Sequence, residues 1–417
     1  MRQMKDSGIE WIGEIPQTWD VLKTKFCFRY KKEIAGINSD KFDRLALTMQ
    51  NVVKRAKDDS NGLQPEKFET YQILRRNELV FKLIDLQNVS TSRVGLSLYD
   101  GIVSPAYIIL TPQSNISSKY AEKYYYTLWK NQIFNALGDD GVRSNLGKDD
   151  LLNIPIPVPP LAEQERIAGF LDAKCAEVDA LAREIKEEIA TLEEYKRSVI
   201  TEAVTKGLDA SVPMKDSGIE WIGEIPQSWD VLPNKYIMKK TKELCQKYSG
   251  QAILSLTMNG VIERDLDAGG KMPSSFDGYQ LIKKGNLLLC LFDIDVTPRC
   301  AGLILKDGVT SPAYSQFVMT NMAYAPYFAY YYIMVDNTKE LLHMTKNLRY
   351  SLNEEQFGAI KAPCPPLAEQ ERIAEFLDAK CAEVDALIAE KQNQLATLEE
   401  YKKSVIFEYV TGKKEVV

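Results

Sequence analysis

Apolar residues recur at intervals of seven along two stretches of this chain and at short, strand-like intervals through most of the remainder. Leu171, Val178, Ile185, Leu192 and Val199 form one series, with Leu181 and Tyr195 between them and Ile167 and Phe170 leading in. Leu377, Val384, Leu398 and Val405 form a second, with Leu387 and Tyr401 between, and Lys391 falls where Ile185 would be answered. Two prolines precede each stretch, none interrupts 161–206 or 367–411, acids fill the first turn, and a glycine, Gly207 or Gly412, follows. These are the start and stop signals of a long helix, here about 65 Å at 1.5 Å per residue. The sevenfold spacing predicts a coiled-coil seam with polar interruptions at Lys174, Glu188, Lys380, Lys391 and Gln394. Two matching stripes in one chain predict an antiparallel pair with pseudo-twofold symmetry; the alternative is that each helix packs only on its own domain.

Outside the helices the pattern changes to short β-type runs, ELVFKLID, AYIILTP, NLLLCLFDID and AGLILKDG, followed by aromatic helical stretches, AEKYYYTLWKNQIFNAL and APYFAYYYIMVDNTKELLHM. A faint skeleton is shared: Leu47-Thr48-Met49 answers Leu256-Thr257-Met258, and Ser104-Pro105-Ala106-Tyr107 answers Ser311-Pro312-Ala313-Tyr314. The predicted class is α+β: two similar α/β globular domains, 1–160 and 211–366, separated by two long antiparallel coiled-coil helices, 161–210 and 367–417, in a pseudo-twofold internal repeat. The tyrosine runs 124–126 and 330–332 read as a core face with hydroxyls at its rim, the alternative being stacking platforms for bases.

The repeat is sharper at its ends than in its middle. Residues 4–22 return at 214–232 with one change in nineteen, and 159–181 return at 365–387 with one change in twenty-three. The fillings between, 23–158 and 233–364, have drifted far apart. A constant frame with two independent fillings suits a protein that presents two different recognition surfaces in one fixed arrangement. Four of the five tryptophans, Trp11, Trp19, Trp221 and Trp229, belong to the repeated opening and are expected to anchor each head.

Charge alters this picture only when divided. The net −6 comprises +3 for 1–160, −5 for 161–205, 0 for 206–366, −5 for 367–411 and +1 beyond, so the acidity lies in the helices and the heads are neutral to mildly basic. Basic residues that differ between heads are the candidate nucleic-acid contacts: Lys54, Arg55, Lys57, Arg75, Arg76 and Arg93 in the first, and Lys271, Lys283, Lys284 and Arg299 in the second. Arg143 and Arg349, at matching places before the closing prolines, read as structural or as a shared phosphate contact. Seven cysteines without a Cys-x-x-Cys pair, and one histidine, His343, argue against structural zinc, a disulfide framework and histidine-based catalysis. The chain lacks an Asn/Asp-Pro-Pro-aromatic motif, a Gly-x-Gly-x-x-Gly loop and a Gly-Lys-Ser/Thr loop. No catalytic or metal site is expected. The opening residues lack a secretion signal and no run suffices for a membrane span, so a cytoplasmic location is expected.

Taken together, WIGEIPxxW opening each half, PPLAEQxRIAxFLD closing it and LEEYKxSVI late in each helix make the whole chain resemble the specificity subunits of type I restriction-modification systems. The resemblance implies that each head is a target recognition domain reading one half of a bipartite, asymmetric double-stranded DNA site, that the helices set the spacing, and that the subunit has no catalysis of its own. It further implies docking of two methyltransferase subunits that methylate adenine with S-adenosylmethionine, and allows two restriction subunits that use ATP and Mg. Those cofactors would sit on the partners. The competing reading is a protein-binding scaffold whose heads grip other proteins.

Overall fold

The computed structural model describes residues 2–49, 51–59, 67–87, 92–138, 145–265, 273, 275–297, 299–345 and 350–416. The chain forms two compact units, 1–185 with 393–417, and 186–392. These units do not follow the four segments suggested by the sequence, because each long helix is divided between the two.

In the first unit, Met4–Asp6 pairs antiparallel with Glu14–Pro16, and Asp20–Lys23 pairs with Pro155–Val158, the strand that leads into the first long helix. One four-stranded sheet runs Val52–Arg55, Arg44–Leu47, Gly101–Val103, Gln72–Leu74. A second runs Phe28–Lys31, Ile108–Pro112, Leu79–Phe81, Val94–Leu96, and helix Ser118–Lys130 packs against its last strand. The second unit repeats this plan. Its sheet Met238–Thr241, Ser315–Met319, Leu287–Leu289, Ala301–Leu303 faces helix Ala325–Asn337, while the strands that answer the first unit's other four-stranded sheet are split between a three-stranded sheet and the hairpin Leu254–Thr257/Gly260–Glu263. Strand alternation and a tyrosine-rich helix thus build each head twice over from dissimilar sequences.

The tyrosines are core. Tyr124 and Tyr125 are fully buried, as are Tyr331 and Tyr332. Three of these hydroxyls have clear partners: Tyr124 donates to the Pro155 carbonyl at 2.6 Å, Tyr125 lies 2.7 Å from the Thr24 hydroxyl, and Tyr332 donates to Asn234 at the position that answers Thr24. Burial holds these phenols well above their ordinary pKa, so they stay neutral donors. That burial rules out these four rings as stacking platforms for bases, while Tyr126 and Tyr330 are half-buried, the first ring edge-on to Trp129 and the second donating its hydroxyl to Asp378. Trp19 and Trp229, also fully buried, meet Tyr120 and Tyr327 edge-on at 6.4 Å.

The long helices run Leu161–Lys206 and Leu367–Val410, and Gly207 (φ 75°) and Gly412 (φ 70°) leave them in the left-handed region that ends a helix. In the first unit Phe170 packs on Tyr409 and Lys402 pairs with Asp179 at 2.7 Å. In the second, Lys391 pairs with Glu188 and Lys196 with Asp385, both at 2.6 Å. In each unit the numbering on one helix rises as that on the other falls, so the paired segments are antiparallel.

The seam is not the one the sequence suggests. Leu171, Val178, Ile185, Leu377, Val384 and Val405 are buried, and Leu192 and Leu398 are half-buried. Leu181, Tyr195, Leu387 and Tyr401, however, are 41–45% exposed. The second column comprises Cys175, Ala182, Ile189 and Lys196, answered by Cys381, Ile388, Leu395 and Lys402, four residues after each position of the first column rather than three. A sevenfold count fixes one column but leaves open which flank faces the partner. Truncating Leu171 to alanine is accordingly expected to cost about 2–5 kcal/mol, and Leu181 to alanine no more than about 0.5 kcal/mol, in denaturant unfolding.

Candidate nucleic-acid interface

Each head carries the same two surface features, a turn between two sheets and the edge of a strand hairpin. The turn Arg75-Arg76-Asn77 leads into the strand Leu79–Phe81, and Lys283-Lys284-Gly285 leads into Leu287–Leu289. Asn77 (φ 70°) and Gly285 (φ 87°) make the reversal, and the second basic residue of each turn donates its backbone N–H to an aspartate, Arg76 to Asp100 at 2.8 Å and Lys284 to Asp307 at 2.6 Å. Arg76, Lys283 and Lys284 are exposed, and none has an ion pair among the described residues. Arg75 is tied to Glu33 at 3.0 Å. Arg75-Arg76 and Lys283-Lys284, expected among the basic residues that differ between heads, thus stand at equivalent positions, each pair following a matching Tyr-Gln strand start, Tyr71-Gln72 or Tyr279-Gln280.

The hairpin edge differs between heads. Lys54 stands opposite Leu45 on its strand pair and Glu263 opposite Leu254 on the equivalent one, so the two occupy the same place with opposite charge. Lys54 pairs with Asp43 at 2.7 Å and lies over the Tyr99 ring at 5.3 Å. Its hydrogen bond holds the Asp43 carboxyl below the usual range. In the second head Lys306, which answers Tyr99, pairs with Glu263 at 2.7 Å. Beside it opens a depression of about 950 Å³ lined by Arg264, Lys283 and Lys306 together with Glu243, Asp265 and Asp307. Further along the first hairpin, Arg55 pairs with Asp59 at 2.8 Å, and Lys57 donates to the Ser39 carbonyl at 3.0 Å and lies near Asp40.

Two sequence candidates turn inward. Arg93 is 1% exposed and its guanidinium donates to the carbonyls of Lys82, Ile84 and Asp85, so it fastens the loop after Leu79–Phe81 from inside. Burial lowers its pKa, as burial and Arg93 itself do for Lys82. Arg299 is similarly engaged, with Asp336 at 3.3 Å and Asn337 at 2.9 Å. Neither is an exposed contact. Arg143, Lys271 and Arg349 lie outside the described residues.

One pair of residues with a structural task was not singled out by the sequence. Gln164 and Gln370, the glutamines of the repeated PPLAEQ, are fully buried. Gln164 accepts from the Ser117 N–H and donates to the carbonyls of Asn115 and Pro159; Gln370 accepts from Tyr324 and donates to Met322 and Pro365. Each locks the start of a long helix to the loop before its head's tyrosine helix. Their presence in an unchanged block was the available signal.

Residues 20–191 and 312–397 match the family model of the type I restriction modification DNA specificity domain. The chain belongs to that family. Its relatives agree: the chain is 24% identical to the putative type I restriction enzyme MjaX specificity subunit of Methanocaldococcus jannaschii, over 97% of this chain and 96% of the relative. It is 26% identical to the MjaVIII specificity subunit of the same organism, over 76% and 75% of the two chains. A chain from the solved assembly of a type I restriction-modification system superposes with a TM-score of 0.69 at 14% identity, covering 96% of this chain and 99% of that one, which shows a common fold. As a type I specificity subunit, the protein is a DNA-recognition component of a larger complex. Among the described residues no helix is long and apolar enough to cross a membrane, and no cluster of three or more His, Cys, Asp or Glu side chains could hold a metal ion.

Proposed function

We propose that this specificity subunit reads a bipartite, asymmetric double-stranded DNA site, with residues 1–160 and 211–366 as two target recognition domains and 161–210 and 367–417 as spacer helices. The observation that carries the reading is a contrast between two surface features: a basic turn shared by both heads, and a hairpin position where Lys54 in one is answered by Glu263 in the other. Phosphates are the same whatever the sequence, whereas base edges differ, so shared cations position a head and divergent side chains select its half-site. The helices, paired as an antiparallel coiled coil with pseudo-twofold symmetry, set the gap between half-sites. The repeated frame docks two methyltransferase subunits carrying S-adenosylmethionine, and leaves room for restriction subunits using ATP and Mg in the same assembly. Catalysis belongs to those partners, in the cytoplasm.

The test is a map of methylated adenines in DNA from cells making this chain with its methyltransferase partner. A split consensus is expected, and exchanging residues 23–158 should change one half only; methylation without a split consensus would sink the reading. Arg76→Ala and Lys284→Ala should each flatten the salt dependence of DNA affinity by roughly one phosphate contact while leaving the consensus letters unchanged.

A further inference from the structure

The single difference between the two copies of the closing block, Gly169 against Glu375, stands next to its phenylalanine, Phe170 or Phe376. In the first unit Phe170 is half-buried beneath Tyr409, with ring centroids 4.5 Å apart and planes at 41°. The Val410 carbonyl accepts from Tyr120 and the Val204 carbonyl from Tyr327, so Val204 and Val410 are equivalent and the residue that answers Tyr409 is Ala203. Alanine has no ring to offer. Phe376 is accordingly 42% exposed, and beside it Glu375 is exposed and has no ion pair among the described residues. At Gly169 an added Cβ would meet nothing within 4 Å, so no neighbour in this chain requires a glycine there, although glycine weakens a helix interior.

We propose that Phe376 is a docking contact for an aromatic side chain of one methyltransferase copy, set over it as Tyr409 is set over Phe170, with a basic group of the same copy meeting Glu375. The first unit has no such contact to give, because its own tyrosine already occupies the phenylalanine. The two methyltransferase copies therefore bind at unequal surfaces of an otherwise repeated frame. Tyr409 shows what this phenylalanine accepts, and the unpaired carboxylate at 375 specifies the sign of charge alongside it. The contact rests on the reading that the frame docks methyltransferase subunits.

Titration of the full chain with its methyltransferase subunit, followed by native mass spectrometry, tests it. The unaltered chain should load two copies in two unequal steps. Phe376→Ala and, separately, Glu375→Lys should each weaken one step by about tenfold or more and leave the other unchanged, as expected for an aromatic hot spot and its charged neighbour. Unchanged thermal unfolding of both variants, expected for exposed positions, ties the loss to the interface. Two steps that neither substitution moves would overturn the contact. Failure of the unaltered chain to bind any methyltransferase would overturn the functional reading, and the contact with it.

Discussion

Asp336→Ala is expected to lower the stability of the second unit by about 3–5 kcal/mol, seen in calorimetry as a fall in that unit's transition while the first unit's stays in place. The carboxylate is 2% exposed and holds three donors at once: the Arg299 guanidinium at 3.3 Å, the Lys339 ammonium at 2.9 Å and the Cys300 N–H at 3.0 Å. Lys339 is partly exposed and can turn to water when the aspartate is lost. Arg299, only 12% exposed, cannot, and would be left as a buried cation with Asn337 as its remaining side-chain acceptor among the described residues. Asp336→Asn keeps the shape and an acceptor oxygen, so its cost should be clearly smaller. Equal losses for the two variants would mean that charge is not what this cluster supplies.

Gln164→Ala and Gln370→Ala should each cost about 2–5 kcal/mol, because either change strands a buried N–H and two carbonyls that lose a partner at about 1–3 kcal/mol apiece, partly recovered by water. The losses should be similar in size and confined to different units, the first to the one containing Ser117 and Asn115, the second to the one containing Tyr324 and Met322. A surface glutamine would cost almost nothing by the same truncation. Glutamate at either position is expected to be worse than alanine, since an acceptor-only side chain would face two carbonyls. Differential calorimetry of the single and double variants checks the additivity that separate units require.

Much of this architecture was legible because long helices announce themselves. Proline before, glycine after and no proline between placed the first helix at 161–206, as observed, and the second within a residue of Val410. The tyrosine runs were legible as core because three adjacent rings on a helix cannot all avoid the sheet beneath. The face of each long helix was not legible, since Leu181 and Ala182 flank the same buried column and only the partner's position selects between them. The heads followed a similar rule. Lys54, Arg55 and Lys57 stand out as a basic cluster, but their acids, Asp43, Asp59 and Asp40, are brought to them by the hairpin and neighbouring turns. Arg93 looked like its basic neighbours because nothing local tells that a loop will fold its carbonyls around a guanidinium.

The assignment of residues 393–417 to the first unit has a consequence in time. A ribosome delivers the chain from its amino end, so every residue of the second unit has been made when residue 392 is added, although that unit starts later in the sequence. The first unit still lacks the Val410 carbonyl that receives Tyr120 and the Tyr409 ring that covers Phe170. At the usual ~5–20 residues per second, residues 393–417 take about 1–5 s to appear. The half that is synthesised first is thus the last to be completed, and translation that stopped within those residues would leave the second reader whole and the first unfinished.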